Sequence, residues 1–218
     1  MVIAMRLALI LGLLMAAGAA RPAPALPPLE AVKVSPHVYY FRGEAGMASQ
    51  KNRGFMSNAG FVVTPAGVVV FDALATPTLG EAMRKAIRKV TPQPVKTIIV
   101  SHYHADHFYG LQALADDGAA IWAHRNARAT LNSEFTLSRL AERRSSLAPW
   151  VDQHTRLLPA DRWLDFGKGR VLKFELGGMR FAVIDAGGAH SPEDLMLLVE
   201  DDRVLFAGDL FFTGRLPF

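Results

Sequence analysis

Three of the chain's seven histidines fall within six residues, in "TIIVSHYHADHFYG" (Thr97–Gly110), where an apolar run turns polar. In an extended segment, residues two apart point to the same side. His102 and His104 can therefore grip one metal ion, with Asp106 next in the same alternation. His107 breaks it, so Asp106 and His107, on a chain that begins to turn, can reach a second ion beside the first. Imidazole and carboxylate together suit zinc, and also iron or manganese. A chance His-x-His-x-Asp-His run is expected on the order of once in a few thousand chains of this composition.

One loop supplies too few ligands, and two later segments repeat its layout of an apolar strand ending in a ligand-capable residue. "FAVIDAGGAH" places His190 after a strand and a pair of glycines, and "VLFAGD" places Asp209 after a strand and one glycine. Asp72 also ends an apolar strand, where packing does not call for a carboxylate; such a group can orient ligands or their loop. His37, His124 and His154 lack this context and read as ordinary surface or half-buried histidines.

The elements that must carry these residues are legible as well. "HVYYFR" is rich in strand formers, and "GFVVT" and "GVVVF" flank the turn Pro65-Ala66-Gly67. "TPTLGEAMRKAIRKV" predicts a helix with Pro77 in its first turn, Thr78 and Glu81 as a capping box, and Leu79, Met83, Ile87 and Val90 as its buried stripe. "VKTIIV" and "AAIWAH" read as short strands, "FYGLQALA" as a helix, and residues 125–147 as mostly helical up to Pro149. Four strands separated by Gly, Asp and Pro follow. Early strands, middle helices and late strands predict an α/β (α+β) protein with stacked sheets and helices outside.

Composition narrows the class. Half of the 218 residues are hydrophobic and a fifth are charged, an ordinary globular balance. Residues 1–25 hold an early Arg6, an apolar run from Leu7 to Ala17 and Ala-x-Ala patterns, and read as a cleaved secretory leader and lead-in. This predicts export, to the periplasm, with no stable membrane span after cleavage. The domain then occupies residues 26–218. Cysteine is absent, so stability rests on the core and on metal. The formal charge of +4 includes Arg6 and Arg21 of the leader and gives no reason to expect nucleic acid as a partner. The basic runs "RNAR" and "AERR" read as solvated helix faces.

In order and content, "FD" at Phe71-Asp72, "HYHADH", "GGAHSPEDL" and "AGDLFF" resemble the metallo-β-lactamase superfamily, over nearly everything after the leader. The resemblance implies a four-layered αββα sandwich with a dinuclear site at one edge of the sheets. It implies that His102, His104 and His190 hold the first ion, that Asp106 and His107 help to hold the second, that Asp209 bridges both, and that Asp72 supports the ligand loop. Two Zn2+ ions are implied, with iron or manganese as alternatives. True lactamases usually carry Cys or Ser where Asp209 stands, so the chain is more similar to the glyoxalase II-like and lactonase branches. It looks most like an exported branch associated with sulfur oxidation and periplasmic quinoprotein alcohol oxidation. The expected activity is hydrolysis of an ester, thioester or lactone of a small-molecule substrate by a metal-bound hydroxide, with Asp106 as the catalytic carboxylate. A metal-binding accessory protein of a periplasmic oxidation pathway and a β-lactamase-like enzyme are the alternatives. Phe55, Met56, Phe108, Tyr109, Phe135, Trp150 and Phe212 are candidate pocket residues. In the family a further histidine follows the bridging aspartate. "LFFTGRLPF" supplies none, which predicts a domain whose last part is missing and a stronger first than second ion site.

Overall fold

A computed structural model describes residues 28–213, so the leader reading lies outside the described residues. Strands β1 (Val32–Lys33), β2 (Val38–Phe41), β3 (Ala59–Thr64) and β4 (Gly67–Phe71) form an antiparallel meander. Helix α1 (Pro77–Val90) carries the chain to β5 (Val95–Ile99), which pairs parallel with β4. The short helices α2 (Ala105–Phe108) and α3 (Leu111–Leu114) precede β6 (Ala120–His124). Helices α4 (Ala127–Leu131) and α5 (Glu134–Ser146) precede β7 (Arg162–Leu164). Strands β1 to β7 lie in sequence order in one mixed sheet. A second, antiparallel sheet is built from β8 (Val171–Leu176), β9 (Met179–Asp185), β10 (Leu195–Val199) and β11 (Val204–Phe206).

The continuous apolar runs of the first sheet follow from burial on both faces. Phe61, Val68, Val70 and Ile98 pack toward the helices. Their neighbours Val62, Val69, Phe71 and Ile99 pack toward the second sheet, against Phe181, Val183, Leu195 and Leu197. The layers therefore run helix, sheet, sheet, in keeping with the expected sandwich. Among the described residues no α-helix follows β7, and β8 alternates between exposed and half-buried positions.

Three local readings need correction. The cap of α1 is Thr76, whose extended backbone lets its hydroxyl accept from the Leu79 amide at 3.1 Å. Glu81 is not part of a capping box with Thr78; it pairs with Arg84 and Lys85 along the helix. Val90 is exposed, while Leu79, Met83 and Ile87 are buried as expected. "FYGLQALA" is not one helix, because Gly110 separates α2 from α3. A Cβ on Gly110 would collide with the Ala73 carbonyl, and one on Gly80 of α1 would collide with Gly110. The missing side chains let α1 and this segment touch through their backbones.

The two sheets are clipped together away from the histidines. Asp202, in the β10–β11 turn, accepts from the Ser35 hydroxyl at 2.5 Å and from the His37 amide at 3.0 Å, and lies 2.8 Å from His37 Nδ1.

Candidate metal centre

The fold brings the ends of four strands to one edge: β4 delivers Asp72, β5 delivers Ser101 to His107, β9 leads to His190, and β11 leads to Asp209. His102, His104 and His190 place their ligand nitrogens within 4.8 Å of one another. His104 Nδ1 and His190 Nε2 are 3.0 Å apart. A second group within the same limit joins His102, His107 and Asp209. Asp106 lies beside it, with Oδ2 3.4 Å from His107 Nε2. Asp209 faces both groups: one carboxylate oxygen is 3.2 Å from His107 Nε2, and the other is 3.7 Å from His190 Nε2.

Asp72 sets the chemistry of two of these imidazoles. Its backbone is left-handed (φ 65°), uncommon for a residue other than glycine, and the contacts of its side chain hold it there. Oδ1 accepts from the Ser101 amide at 2.7 Å. Oδ2 accepts from the Ser101 hydroxyl at 2.9 Å and lies 2.8 Å from His107 Nδ1. A carboxylate can only accept, so His107 carries its proton on Nδ1 and turns a lone pair on Nε2 into the cluster. Ser101 spends its proton on Asp72 and must accept from His102 Nδ1, 2.9 Å away. His102 Nε2 is thereby also a lone-pair donor. Both Nε2 atoms are buried without an aligned hydrogen-bond partner among the described residues. Two orphaned imidazole nitrogens beside carboxylates are the expected signature of a cation site.

The field has a matching sign. Burial, and then the neighbouring imidazoles, hold His102 well below the ordinary histidine value. Burial likewise lowers His104. Both stand as neutral bases. At His107 burial opposes charge, but Asp106 and Asp72 outweigh it, so the niche beside Nε2 attracts a positive charge, which a second proton on that nitrogen supplies when no cation does. Burial would raise Asp106, yet His107 holds it low and ionised. The cluster thus offers neutral nitrogens on one side and a carboxylate-rich niche on the other, a donor set that fits divalent zinc, iron or manganese.

The His190 loop is shaped by Asp194, a residue with no local signal in the sequence. Asp194 Oδ2 accepts from the amides of Ala189 (3.0 Å), His190 (2.6 Å) and Ser191 (2.8 Å). The neighbouring acid, Glu193, is buried and ties α4 to the ligand loop: it accepts from the Thr130 hydroxyl at 2.9 Å and from the Tyr103 amide at 3.4 Å. Ser57 closes the other side by donating to the Asp106 carbonyl at 2.5 Å.

With that geometry in place, residues 52–218 match the sequence profile described as the metallo-beta-lactamase superfamily. The chain belongs to this superfamily. It is 30% identical over 150 residues to the 2,4-dinitroanisole O-demethylase subunit alpha of Nocardioides sp. (strain JS1661), covering 68% of this chain and 39% of that protein. It therefore spans about two fifths of that curated relative. Solved structures share the fold. A metallo-beta-lactamase from Pontibacter korlensis has a TM-score of 0.57 and 21% identity, over 82% of this chain and 70% of that one. A stereoselective inverting sec-alkylsulfatase from Pseudomonas sp. has a TM-score of 0.60 and 17% identity, over 81% and 30%.

Two cavities open onto this superfamily site, and Asp209 lines both. The larger, about 570 Å³, runs past His107 toward Arg42, Glu44 and Phe206. The smaller, about 230 Å³, lies on the His104 and His190 side and is walled by Met56, Phe108, Tyr109, Phe135 and Phe212, all expected from the sequence. Phe55 instead lines a separate cleft with Leu29 and Leu79, and Trp150 lines none of these cavities. The remaining histidines stand apart: His37 pairs with Asp202, His124 is buried and stacks on Phe166, and His154 touches Gln153 at the surface. No helix among the described residues is long and apolar enough to cross a membrane.

Proposed function

We propose that this chain is a metal-dependent hydrolase that opens an ester, thioester or lactone carbonyl in a small-molecule substrate, and that it acts after export to the periplasm. His102, His104 and His190 would hold one ion, Asp106 and His107 would hold the second, and Asp209 would serve both. Zinc is the first choice for this donor set, with iron and manganese suited as well. The observation that carries the reading is Asp209, whose two oxygens face the two nitrogen groups separately. When bound there, a pair of divalent cations supplies Lewis acidity and a water acidic enough to ionise near neutral pH.

The chain's own residues do the rest. Asp72 keeps the protons of His102 and His107 on the outer nitrogens, so the inner ones remain donors. Asp106, ionised beside His107, can orient the attacking water, take a proton from it as its oxygen bonds to the carbonyl carbon, and pass that proton to the departing oxygen or sulfur as the acyl bond breaks. Neither a serine nor a cysteine nucleophile is needed. The competing reading is an accessory protein that binds metal without turnover.

The deciding experiment measures metal content by elemental analysis and turnover on a panel of chromogenic esters, thioesters and lactones with added zinc. 2,4-Dinitroanisole joins the panel because the curated relative is named for its O-demethylation. Two metal equivalents with carbonyl hydrolysis support the proposal. Metal binding with no turnover favours the accessory reading, and efficient carbapenem hydrolysis would place the chain with the lactamases.

A further inference from the structure

The smaller cavity has a chemical polarity that the metal centre does not need. Beyond the ligands at its mouth, its wall is apolar, supplied by Met56, Phe108, Phe135 and Phe212. The cationic side chains on that wall are Arg139 and Arg143, one turn apart on α5. Arg139 lies over the Phe135 ring, with its guanidinium carbon 5.4 Å from the centroid. Both arginines share one carboxylate: Glu142 is 3.1 Å from Arg139 and 3.5 Å from Arg143. Two guanidiniums against one carboxylate leave one positive charge over. Facing them is Tyr109, whose hydroxyl is buried and has no hydrogen-bond partner among the described residues. A phenol O–H is a donor as well as an acceptor. A buried donor left unpaired in a native fold calls for a partner.

We propose that this cavity is a substrate-recognition subsite for an amphipathic anion, in which an apolar segment extends from the reacting carbonyl and ends in a carboxylate or similar anionic group read by Tyr109, Arg139 and Arg143. The inference rests on the hydrolytic reading for the position of the carbonyl, but the selectivity it assigns is a property of binding. In a cavity of low polarity, a charged hydrogen bond counts for more than in water. The apolar wall excludes short, fully hydrated anions, and the arginines disfavour purely neutral chains.

The test is calorimetric binding to the zinc-loaded protein. The probes are anilides, chosen because they resist cleavage: the monoanilides of succinic, glutaric and adipic acid, each against the neutral acyl anilide of the same chain length. The expected result is that one length of the anionic series binds about tenfold or more tighter than its neutral partner. In R139Q/R143Q that ratio falls to about one, and in Tyr109→Phe it falls partway. The single variant Arg139→Gln, at a partly exposed position, secures the result if the double variant folds poorly, and zinc content verifies the site in each. Equal affinities in the wild-type protein would overturn the proposal. So would an anionic preference that survives in R139Q/R143Q, which would assign the carboxylate to the metal ions. If the panel shows no turnover while the anionic preference holds and is lost in the arginine variants, the hydrolytic reading fails and the subsite stands.

Discussion

Asp72 Oδ2 lies 2.8 Å from His107 Nδ1 and also accepts the Ser101 hydroxyl that in turn faces His102. One buried carboxylate thus sets the tautomers of two imidazoles, one of them, His102, common to both candidate groups.

Asp72→Asn is expected to fold and to lose metal. The amide would place a donor where the carboxylate accepts, so the imidazole protons move to the inner nitrogens. Zinc affinity should fall about 10–100-fold, the range for loss of such an outer partner. Chelator competition reads this directly, and an unchanged affinity would remove Asp72 from the account.

His102→Ala and His190→Ala should each release bound metal and abolish turnover, since each deletes a nitrogen from the three-histidine group. His124→Ala is the control: that ring stacks on Phe166 and should leave metal content intact. Full activity in either ligand variant contradicts the assignment.

Asp194→Ala strips three consecutive amides of their acceptor. A loss of about 1–3 kcal/mol is expected in urea unfolding of the metal-free protein, together with weaker zinc binding because His190 is no longer held in place. Asp194→Asn should lose less of both.

Asp202 supplies a pH prediction independent of the metals. Burial would raise its pKa, but hydrogen bonds from Ser35 and His37 win and hold it below the ordinary carboxylate value. A depressed folded value means that its stabilisation is present above the unfolded pKa of about 3.9 and disappears as pH falls through the folded value. Asp202→Asn should therefore cost about 1–2 kcal/mol at pH 7 and progressively less below pH 4. Urea unfolding at the two pH values measures it, and a pH-independent deficit would show that charge is not the cause.

The ligand cluster was legible because its signal is local. Spacing within "HYHADH" puts donors on one strand end, and the strand-glycine-ligand layout around His190 and Asp209 repeats it. The continuous runs "GVVVF" and "TIIV" likewise read as strands, and the fold buries them on both faces. Residues whose roles depend on what the fold brings near were not legible. Ser101, Asp194 and Glu193 are ordinary residue types whose partners lie on other elements or arise from a loop's exact path. Thr76 and Thr78 are equally plausible caps until the backbone shows which one is extended. Strand β7 is three residues long and carries no periodicity to detect. Gly110 interrupts a pattern that otherwise reads as a helix, because the contact that requires it is the Ala73 carbonyl, far away in the sequence.

That glycine contact acts as a mechanical stop. Ala73, directly after Asp72, donates its amide to the His107 carbonyl at 2.7 Å, and its own carbonyl occupies the space where a Gly110 side chain would be. The distance from the end of β4 to the ligand loop is thus a dimension of the candidate site itself. A methyl group at residue 110 would act as a shim that pries the Asp72 strand end away from the histidines it orients.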